Sequence, residues 1–157
     1  MRVGIGYDLH PFKVGRDLVL GGVRIDHPAG LDGHSDADVL THAVIDSLLG
    51  AAGLGDIGKM FPVDDPEFEG ASSLDLLARV VEALRSAGYR VANVDSTVVA
   101  QAPRLGPHLD AMRQNLASRM QVSPGQVGVK ATSPEGVGAL GHEAGIAAQA
   151  IALIESR

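Results

Sequence analysis

Residues 6–12 read GYDLHPF, and this stretch places two metal-binding side chains, Asp8 and His10, two positions apart. The longer run RVGIGYDLHPF, residues 2–12, has the pattern of a β-strand. Because residues i and i+2 of a strand project from the same face, Asp8 and His10 are expected to point toward one site. Two ligands do not make a metal site, so the prediction requires a third ligand elsewhere in the chain.

The composition predicts one domain with an aliphatic core. The chain has 157 residues, which suits a single domain spanning residues 1–157. Aromatic residues make up only 3%, so Val, Leu, Ile and Ala must build the core, while 20 glycines favour tight turns and close backbone approach. The net charge of −6 argues against a nucleic acid or an anionic membrane as partner.

Two absences narrow the chemistry and the location. The sequence contains no cysteine, which excludes disulfides and thiolate zinc ligands, so a zinc site must use histidine and carboxylate. No signal peptide and no apolar run of membrane-spanning length is present. We therefore expect a soluble cytoplasmic protein.

The order of apolar patterns predicts an α+β fold, a mixed β-sheet with helices layered on one face. Strands are predicted at 2–12, 18–25, 90–101 and 127–132, and helices at 36–52, 73–87 and 109–120. Ser35 or Asp36 is the expected N-cap of the first helix. Residues 53–73 are rich in glycine and proline and are predicted to be extended. The apolar run 146–155 fits either a strand or a helix, and either a buried central element or a surface that needs a partner.

The predicted third ligand is His42, within the first predicted helix. Asp38 and Asp46 lie four residues to either side of it along one helical stripe, so either carboxylate could fix its tautomer. Catalytic zinc typically has three protein ligands and a fourth position open to water or substrate. A helical histidine is more often a surface residue or a satisfied core residue, so the residue types alone leave this site open.

Five segments carry a resemblance that runs nearly end to end: GYDLHPF, LGGVRI, GHSDADVLTHAVIDSLLGAAGLGDIGKMFP, AQAPRLGPH and KATSPEGVG. In this order and spacing they resemble the 2-C-methyl-D-erythritol 2,4-cyclodiphosphate synthases of the non-mevalonate isoprenoid pathway. The resemblance implies conversion of 4-diphosphocytidyl-2-C-methyl-D-erythritol 2-phosphate into the cyclic diphosphate, with release of CMP. The 2-phosphate would attack the metal-held β-phosphate. It also implies a homotrimer with active sites between neighbouring subunits.

The resemblance also implies roles for individual residues. Asp8, His10 and His42 would bind zinc, and Glu135 would bind Mg²⁺ or Mn²⁺. His34 and Ser133 would stabilise the transition state, Ser133 standing where many members have threonine. The implied substrate contacts are Asp8, His10, His34, Ser35, Asp56, Ile57, Gly58, Phe61, Pro62, Val63, Asp64, Asp65, Ala100, Gln101, Ala102, Pro103, Arg104, Leu105, Gly106, Thr132, Ser133, Pro134 and Glu135.

Some positions depart from the family pattern. Residues 100–106 match the loop that holds cytosine in the family. In contrast, Val63 and Asp64 depart from the commoner segment FPDTD. Ala139 and His142 replace a usual Phe and Arg, and Gln149 replaces a Glu that pairs with that Arg in some members. The resemblance therefore carries no binding role over to Ala139 and His142, nor a ligand in a cavity on the threefold axis.

Two other functions fit the same residues. A zinc-dependent phosphohydrolase would use Asp8, His10 and His42 to activate water, and would give a linear phosphate rather than a ring. A non-catalytic trimeric nucleotide-binding regulator would bind CDP without turnover, and would leave Glu135 and the zinc ligands unexplained.

Overall fold

The structure of the chain, a computed structural model, describes all residues from Met1 to Arg157. In chain order the elements are β1 (Arg2–Val14), β2 (Leu18–Leu20), β3 (Val23–Ile25), β4 (Ala29–Leu31), α1 (Val39–Ala52), α2 (Ile57–Met60), α3 (Ser73–Ser86), β5 (Tyr89–Val99), α4 (Leu109–Met120), β6 (Val127–Thr132), α5 (Gly138–Gly141) and β7 (Gly145–Ser156). Three short 3₁₀ turns cover Pro66–Phe68, Gly106–His108 and Pro124–Gln126. No helix is long and apolar enough to cross a lipid bilayer.

Five strands form one mixed sheet in the order β4-β1-β7-β5-β6. Strand β7 is antiparallel to both β1 and β5, and β5 is parallel to β6. The apolar run near the C-terminus is therefore a strand rather than a helix. It lies between two neighbouring strands, and one of its apolar residues, Ile151, lies on the sheet face that the helices do not cover. Strands β2 and β3 form a separate two-stranded sheet.

The three long helices α1, α3 and α4 pack on one face of the sheet, as the sequence predicts. On β1 the side of Gly4 and Gly6 faces α1, and a Cβ atom at Gly6 would lie 1.9 Å from the carbonyl oxygen of Ala43. The alternate residues of β1, among them Ile5 and Tyr7, are exposed on the opposite face. One sheet face is thus covered by helices, and the other is left open by this chain.

One helix start and one loop segment differ from the sequence-based prediction. Helix α1 begins at Val39 rather than near Asp36, because Asp38 is the N-cap and its carboxylate accepts a hydrogen bond from the Thr41 amide at 3.0 Å. The segment 53–73 is not simply extended. It contains α2 and the turn Pro66–Phe68, which are started by the side chains of Asp56 and Asp65. Such short elements depend on single caps, which apolar periodicity does not report.

Candidate metal centre

Asp8 and His10 on β1 and His42 on α1 place one ligand atom each at a common point. The Asp8 Oδ2 atom lies 2.9 Å from His10 Nε2 and 3.0 Å from His42 Nδ1, and the two nitrogens are 3.4 Å apart. Ligand atoms around tetrahedral zinc, each about 2.0–2.1 Å from the ion, are separated by about 3.3 Å. The residues present therefore fit a zinc ion with only small adjustments.

The triad exists because α1 lies unusually close to β1. Gly6 precedes Asp8 by two residues on the same face of the strand, and its missing side chain leaves space for the α1 backbone at Ala43. His42 is the neighbour of Ala43, so the same contact brings its imidazole to Asp8. A larger residue at position 6 would separate the strand ligands from the helix ligand.

The other ring nitrogen of His10 is held by the backbone. His10 Nδ1 lies 2.6 Å from the carbonyl oxygen of Asp32, which can only accept a hydrogen bond, so Nδ1 carries the proton and donates it. In the neutral ring, Nε2 then presents its lone pair to the site. This second contact fixes both the tautomer and the ring orientation of His10, as outer partners of metal-binding histidines commonly do.

The carboxyl of Asp8 is ionised in this setting. Burial opposes the charged form, but hydrogen bonds to His10 and His42, together with their positive charge, outweigh burial and lower the pKa of Asp8 well below its usual range. The hydrogen bond to Asp8 in turn raises the pKa of His10, against the opposing effect of burial. A divalent cation at this point would find an anionic ligand and would have to displace protons from imidazole.

His42 is not fixed by either carboxylate that the sequence pattern predicted. Asp38 is fully buried, and its carboxylate instead accepts hydrogen bonds from the backbone amides of Gly21 and Gly22. Asp46 accepts a hydrogen bond from the Ile57 amide at 2.8 Å, and burial raises the pKa of Asp46. The helical stripe was recognised correctly, but both carboxylates serve backbone groups, so this prediction was wrong.

The actual partners of His42 Nε2 are two serine hydroxyls. Ser73 Oγ, on the first residue of α3, lies 2.8 Å away, and Ser35 Oγ lies 3.1 Å away. The Ser73 hydroxyl also donates to Asp36 Oδ1. Ser73 was not expected from the sequence, because it is 31 residues from His42 in the chain and no local motif marks it.

A cavity of about 190 Å³ opens beside the triad. It is lined by Asp8, His10, His34, Ser35, His42, Ile57, Gly58, Phe61, Val63, Phe68 and Leu76. Nine of these eleven are implied metal or substrate residues, and the two missed are Phe68 and Leu76, whose patterns are those of ordinary core residues. The triad is thus exposed to a space that a small ligand could enter.

Arg16 is a further residue that the sequence analysis missed. Its guanidinium donates to the carbonyl oxygens of Gly33 and Ser35, both at 2.6 Å. These two bonds hold the loop on either side of His34. His34 Nε2 lies 3.4 Å from the carbonyl oxygen of Asp65, so the loop is also near the segment that follows α2.

A second cavity, of about 350 Å³, lies at the carboxyl ends of β5 and β6. It is lined by Ala100, Gln101, Ala102, Pro103, Arg104, Leu105, Gly106, Leu109, Ala131, Thr132 and Ser133. The peptide bond between Ala102 and Pro103 is cis. The predicted nucleotide loop and the hydroxyls of Thr132 and Ser133 therefore share one space.

Within one chain the structure does not bring all the predicted residues together. The two cavities have no lining residue in common, so His34 and Ser133 belong to different spaces. Glu135 lines neither cavity and is not part of the metal triad, while its backbone amide donates to Ser133 Oγ. Asp56 uses one carboxylate oxygen to cap α2.

The remaining positions considered in the sequence line neither cavity. Pro62, Asp64 and Asp65 belong to the stretch between α2 and the turn Pro66–Phe68, and Pro134 follows β6. Ala139 lies in α5, and His142 follows that helix with its Nδ1 atom 2.7 Å from the Gly138 carbonyl oxygen. The side chain of His142 is thus held by the backbone of α5.

Comparison with known proteins agrees with the resemblance seen in the sequence. The model of the YgbB family matches residues 1–155. The 2-C-methyl-D-erythritol 2,4-cyclodiphosphate synthase of Thioalkalivibrio sulfidiphilus is 58% identical over 156 residues, covering 99% of this chain and 98% of that protein. That of Synechococcus elongatus is 54% identical over 153 residues, covering 98% and 96%.

Solved structures agree in fold. The IspF of Plasmodium falciparum in complex with CDP superposes with a TM-score of 0.87 at 31% identity, covering 99% of this chain and 96% of that one. The bifunctional IspDF of Campylobacter jejuni gives a TM-score of 0.95 at 38% identity, and this chain, covered to 99%, spans 42% of it. On this evidence the chain belongs to the YgbB family, the family of the 2-C-methyl-D-erythritol 2,4-cyclodiphosphate synthases.

Proposed function

We propose that residues 1–157 form one cytoplasmic 2-C-methyl-D-erythritol 2,4-cyclodiphosphate synthase domain. It would convert 4-diphosphocytidyl-2-C-methyl-D-erythritol 2-phosphate into 2-C-methyl-D-erythritol 2,4-cyclodiphosphate and CMP, in the non-mevalonate isoprenoid pathway. The observation that carries the proposal is the convergence of Asp8, His10 and His42 beside a cavity, in a chain 58% identical to a synthase of that name. CDP in the Plasmodium falciparum relative supports a cytidine nucleotide as ligand.

The task of the protein in this reaction is to bring two phosphates of one flexible molecule together. Because the substrate's own 2-phosphate is the nucleophile, no serine or cysteine nucleophile is needed. Zinc at the triad and Mg²⁺ or Mn²⁺ at Glu135, when bound, would neutralise phosphate charge and act as a template. Orientation of this kind lowers barriers by about 7–11 kcal/mol in favourable cases. This explains how an acidic chain could handle an anionic substrate.

The residues of the first cavity would bind the phosphorylated methylerythritol end. His34 and Ser35 lie beside the triad, where a ring N–H and a hydroxyl can donate to phosphate oxygens. Arg16 fixes the backbone on both sides of His34, so the imidazole is presented with little freedom. Phe61, Phe68 and Leu76 give the same cavity an apolar wall that excludes water.

The second cavity would bind the cytidine end. Backbone groups of residues 100–106 are suited to the base, and Ser133 at its rim would donate to a phosphate. Within one chain this cavity is separate from the triad. A substrate that contacts both therefore requires a second cavity that lies closer to the triad than the one in the same chain. We propose that neighbouring subunits of a homotrimer supply it, the first cavity of one chain facing the second cavity of the next.

The open face of the sheet supports a trimer. Val3, Ile5, Tyr7 and Leu9 on β1 are 49–68% exposed, and Ile151, opposite Ile5 on β7, is 50% exposed. A contiguous apolar strip of this kind on the open face of a sheet is expected to be covered. Further copies of this chain are the proposed cover.

We therefore expect sedimentation equilibrium to give about three times the chain mass of 16.2 kDa. Replacing Ile5 by Asp puts a charge in the middle of the strip, and should shift the mass toward one chain because an unpaired charge in an interface is costly. Val14→Asp, at an exposed position near the end of β1, is the matched control and should keep the trimer. A monomeric unsubstituted protein would contradict the proposal.

The experiment that tests the reaction is incubation with the diphosphocytidyl substrate, zinc and magnesium, followed by phosphorus NMR. Formation of CMP together with a cyclic diphosphate is the expected result. CMP with a linear bisphosphate would identify a phosphohydrolase, and binding of CDP without turnover would identify a regulator. Protein stripped of metal by a chelator is the control, and should give no product until zinc and magnesium are restored.

A further inference from the structure

We propose that Ser73 and Asp36 form a positioning pair that holds His42 in the tautomer whose Nδ1 lone pair faces the metal. The inference deepens the proposed function and rests on its zinc site. Neither residue lines the metal cavity, so the pair would act on zinc only through His42. Its effect is on metal binding and needs no contact with substrate.

The Ser73 hydroxyl has a single proton to donate. Ser73 Oγ donates that proton to Asp36 Oδ1, and the Ser73 backbone amide donates to Asp36 Oδ2 at 3.0 Å. An ionised carboxylate only accepts hydrogen bonds, so the direction of both bonds is fixed. The Ser73 hydroxyl has no second proton, and toward His42 it can act only as an acceptor.

The acceptor decides which ring nitrogen of His42 carries the proton. Its Nε2 atom lies 2.8 Å from Ser73 Oγ, a distance at which Nε2 has to carry the proton and donate it. The protonated ring also donates from Nδ1 to Asp8, whereas in the neutral ring that binds a cation the one N–H stays on Nε2 and the Nδ1 lone pair faces Asp8 and His10. The Asp36–Ser73–His42 chain therefore sets the form of the ring that binds a cation.

Because Ser73 and His42 are buried, the Asp36–Ser73–His42 hydrogen bonds are not easily replaced by hydrogen bonds to water. Ser73 is fully buried and His42 is 8% exposed, so water cannot substitute readily for a lost hydroxyl. Ser35 Oγ is also near Nε2, but at the longer distance of 3.1 Å, and it already accepts from the Ala37 amide. The hydroxyl of Ser35 could either donate or accept, so it does not decide the tautomer. Only the carboxylate-bound Ser73 does.

The first test is zinc affinity, measured by competition with a chromogenic chelator on the assembled protein. Ser73→Ala should weaken zinc binding about 10–100-fold, the usual effect of losing an outer partner of a metal-binding histidine. Ser72→Ala is the matched control, since Ser72 is exposed and its side chain makes no capping hydrogen bond. It should bind zinc like the unsubstituted protein.

A second variant and a spectroscopic readout separate positioning from simple packing. In the zinc-free protein, at a pH at which the imidazole is neutral, long-range ¹H–¹⁵N NMR of His42 should show the proton on Nε2. Asp36→Asn puts an amide donor near Ser73 Oγ and frees the serine proton to point at Nε2, so it too should weaken zinc binding about 10–100-fold. Both variants should keep the circular dichroism spectrum of the unsubstituted protein.

The outcomes are distinguishable. If Ser73→Ala binds zinc as tightly as Ser72→Ala, or if His42 carries its proton on Nδ1, the positioning role is wrong while the zinc site stands. If the unsubstituted protein takes up no zinc, both the role and the proposed zinc site are overturned.

Discussion

Gly6→Ala is expected to lower the melting temperature by about 6–12 °C, from a loss of about 3 kcal/mol in the free energy of unfolding. The new Cβ atom would lie 1.9 Å from the Ala43 carbonyl oxygen and 2.7 Å from the Ser47 amide nitrogen. Both are backbone atoms of α1, so no side chain can rotate away. The helix itself has to move off β1, which opens the centre of the core.

The same substitution should also weaken zinc binding. The clash falls on Ala43, next to His42, and Asp8 follows position 6 by two residues on the same strand face. Moving α1 away from β1 therefore lengthens the distance between His42 Nδ1 and Asp8 Oδ2, which is 3.0 Å here. Differential scanning calorimetry and zinc competition on the same sample would measure both effects.

Gly50→Ala is the matched control for this prediction. Gly50 lies in α1 too, but the nearest atom to its added Cβ would be the Ile5 carbonyl oxygen at 3.9 Å, an ordinary contact. Alanine in a helix is favoured over glycine by about 1 kcal/mol, so this variant should melt slightly higher. If Gly6→Ala melted as high as Gly50→Ala, the close approach of α1 to β1 would be wrong.

This contact also shows what the sequence could and could not predict. The alternation of a strand is local, so Asp8 and His10 were correctly expected on one face. His42 reaches these two ligands because particular glycines let the backbones of β1 and α1 touch. The composition shows how many glycines there are but not which of them lie at this contact. The residue types nominated His42 as the third ligand and left it open, and the resemblance to a family then implied it.

The partners of His42 were out of reach for a related reason. Asp38 and Asp46 had the right helical spacing, yet both carboxylates satisfy backbone amides. Ser73 and Asp36 take their place, and these two are 37 positions apart in the chain. Helical periodicity reports neighbours within one element, whereas hydrogen-bond partners across elements are set by packing.

The strands and helices themselves were predicted where the pattern was long. Helix α4 has the expected bounds, Leu109–Met120, and α3 ends one residue early, before Gly88 at a φ of 84°. The run that forms β7 could not be assigned from the sequence, because apolar residues occupy both of its faces: burial alternates from Ala148 to Glu155, and Ile151 lies on the face that this chain leaves open. Sheet order, unlike strand existence, is a property of the whole chain.

His42→Ala is expected to abolish zinc binding under conditions that saturate the unsubstituted protein, and to reduce turnover about 1,000-fold or more. Two ligands from one strand remain, which leaves Asp8 and His10 without the helical nitrogen that closes the triad. Lewis-acid charge stabilisation by a bound metal is worth several kcal/mol, and each 1.36 kcal/mol is tenfold in rate. The product of the reaction should still be cyclic, at the residual rate.

The fold should survive this substitution. Apart from His42, the buried face of α1 is built mostly of Leu, Val, Ile and Ala side chains, and a truncated imidazole at the edge of a cavity removes little of that core.

Calorimetry gives the decisive comparison. Zinc at a hundredfold excess over Kd stabilises a protein that binds it only when folded by about 2.7 kcal/mol, so zinc should raise the melting temperature of the unsubstituted protein and leave His42→Ala unchanged. His27→Ala is the control, because His27 stacks on Phe12 with ring centroids 5.1 Å apart and is not a ligand. It should respond to zinc like the unsubstituted protein, whereas a zinc-induced shift retained in His42→Ala would remove His42 from the metal site.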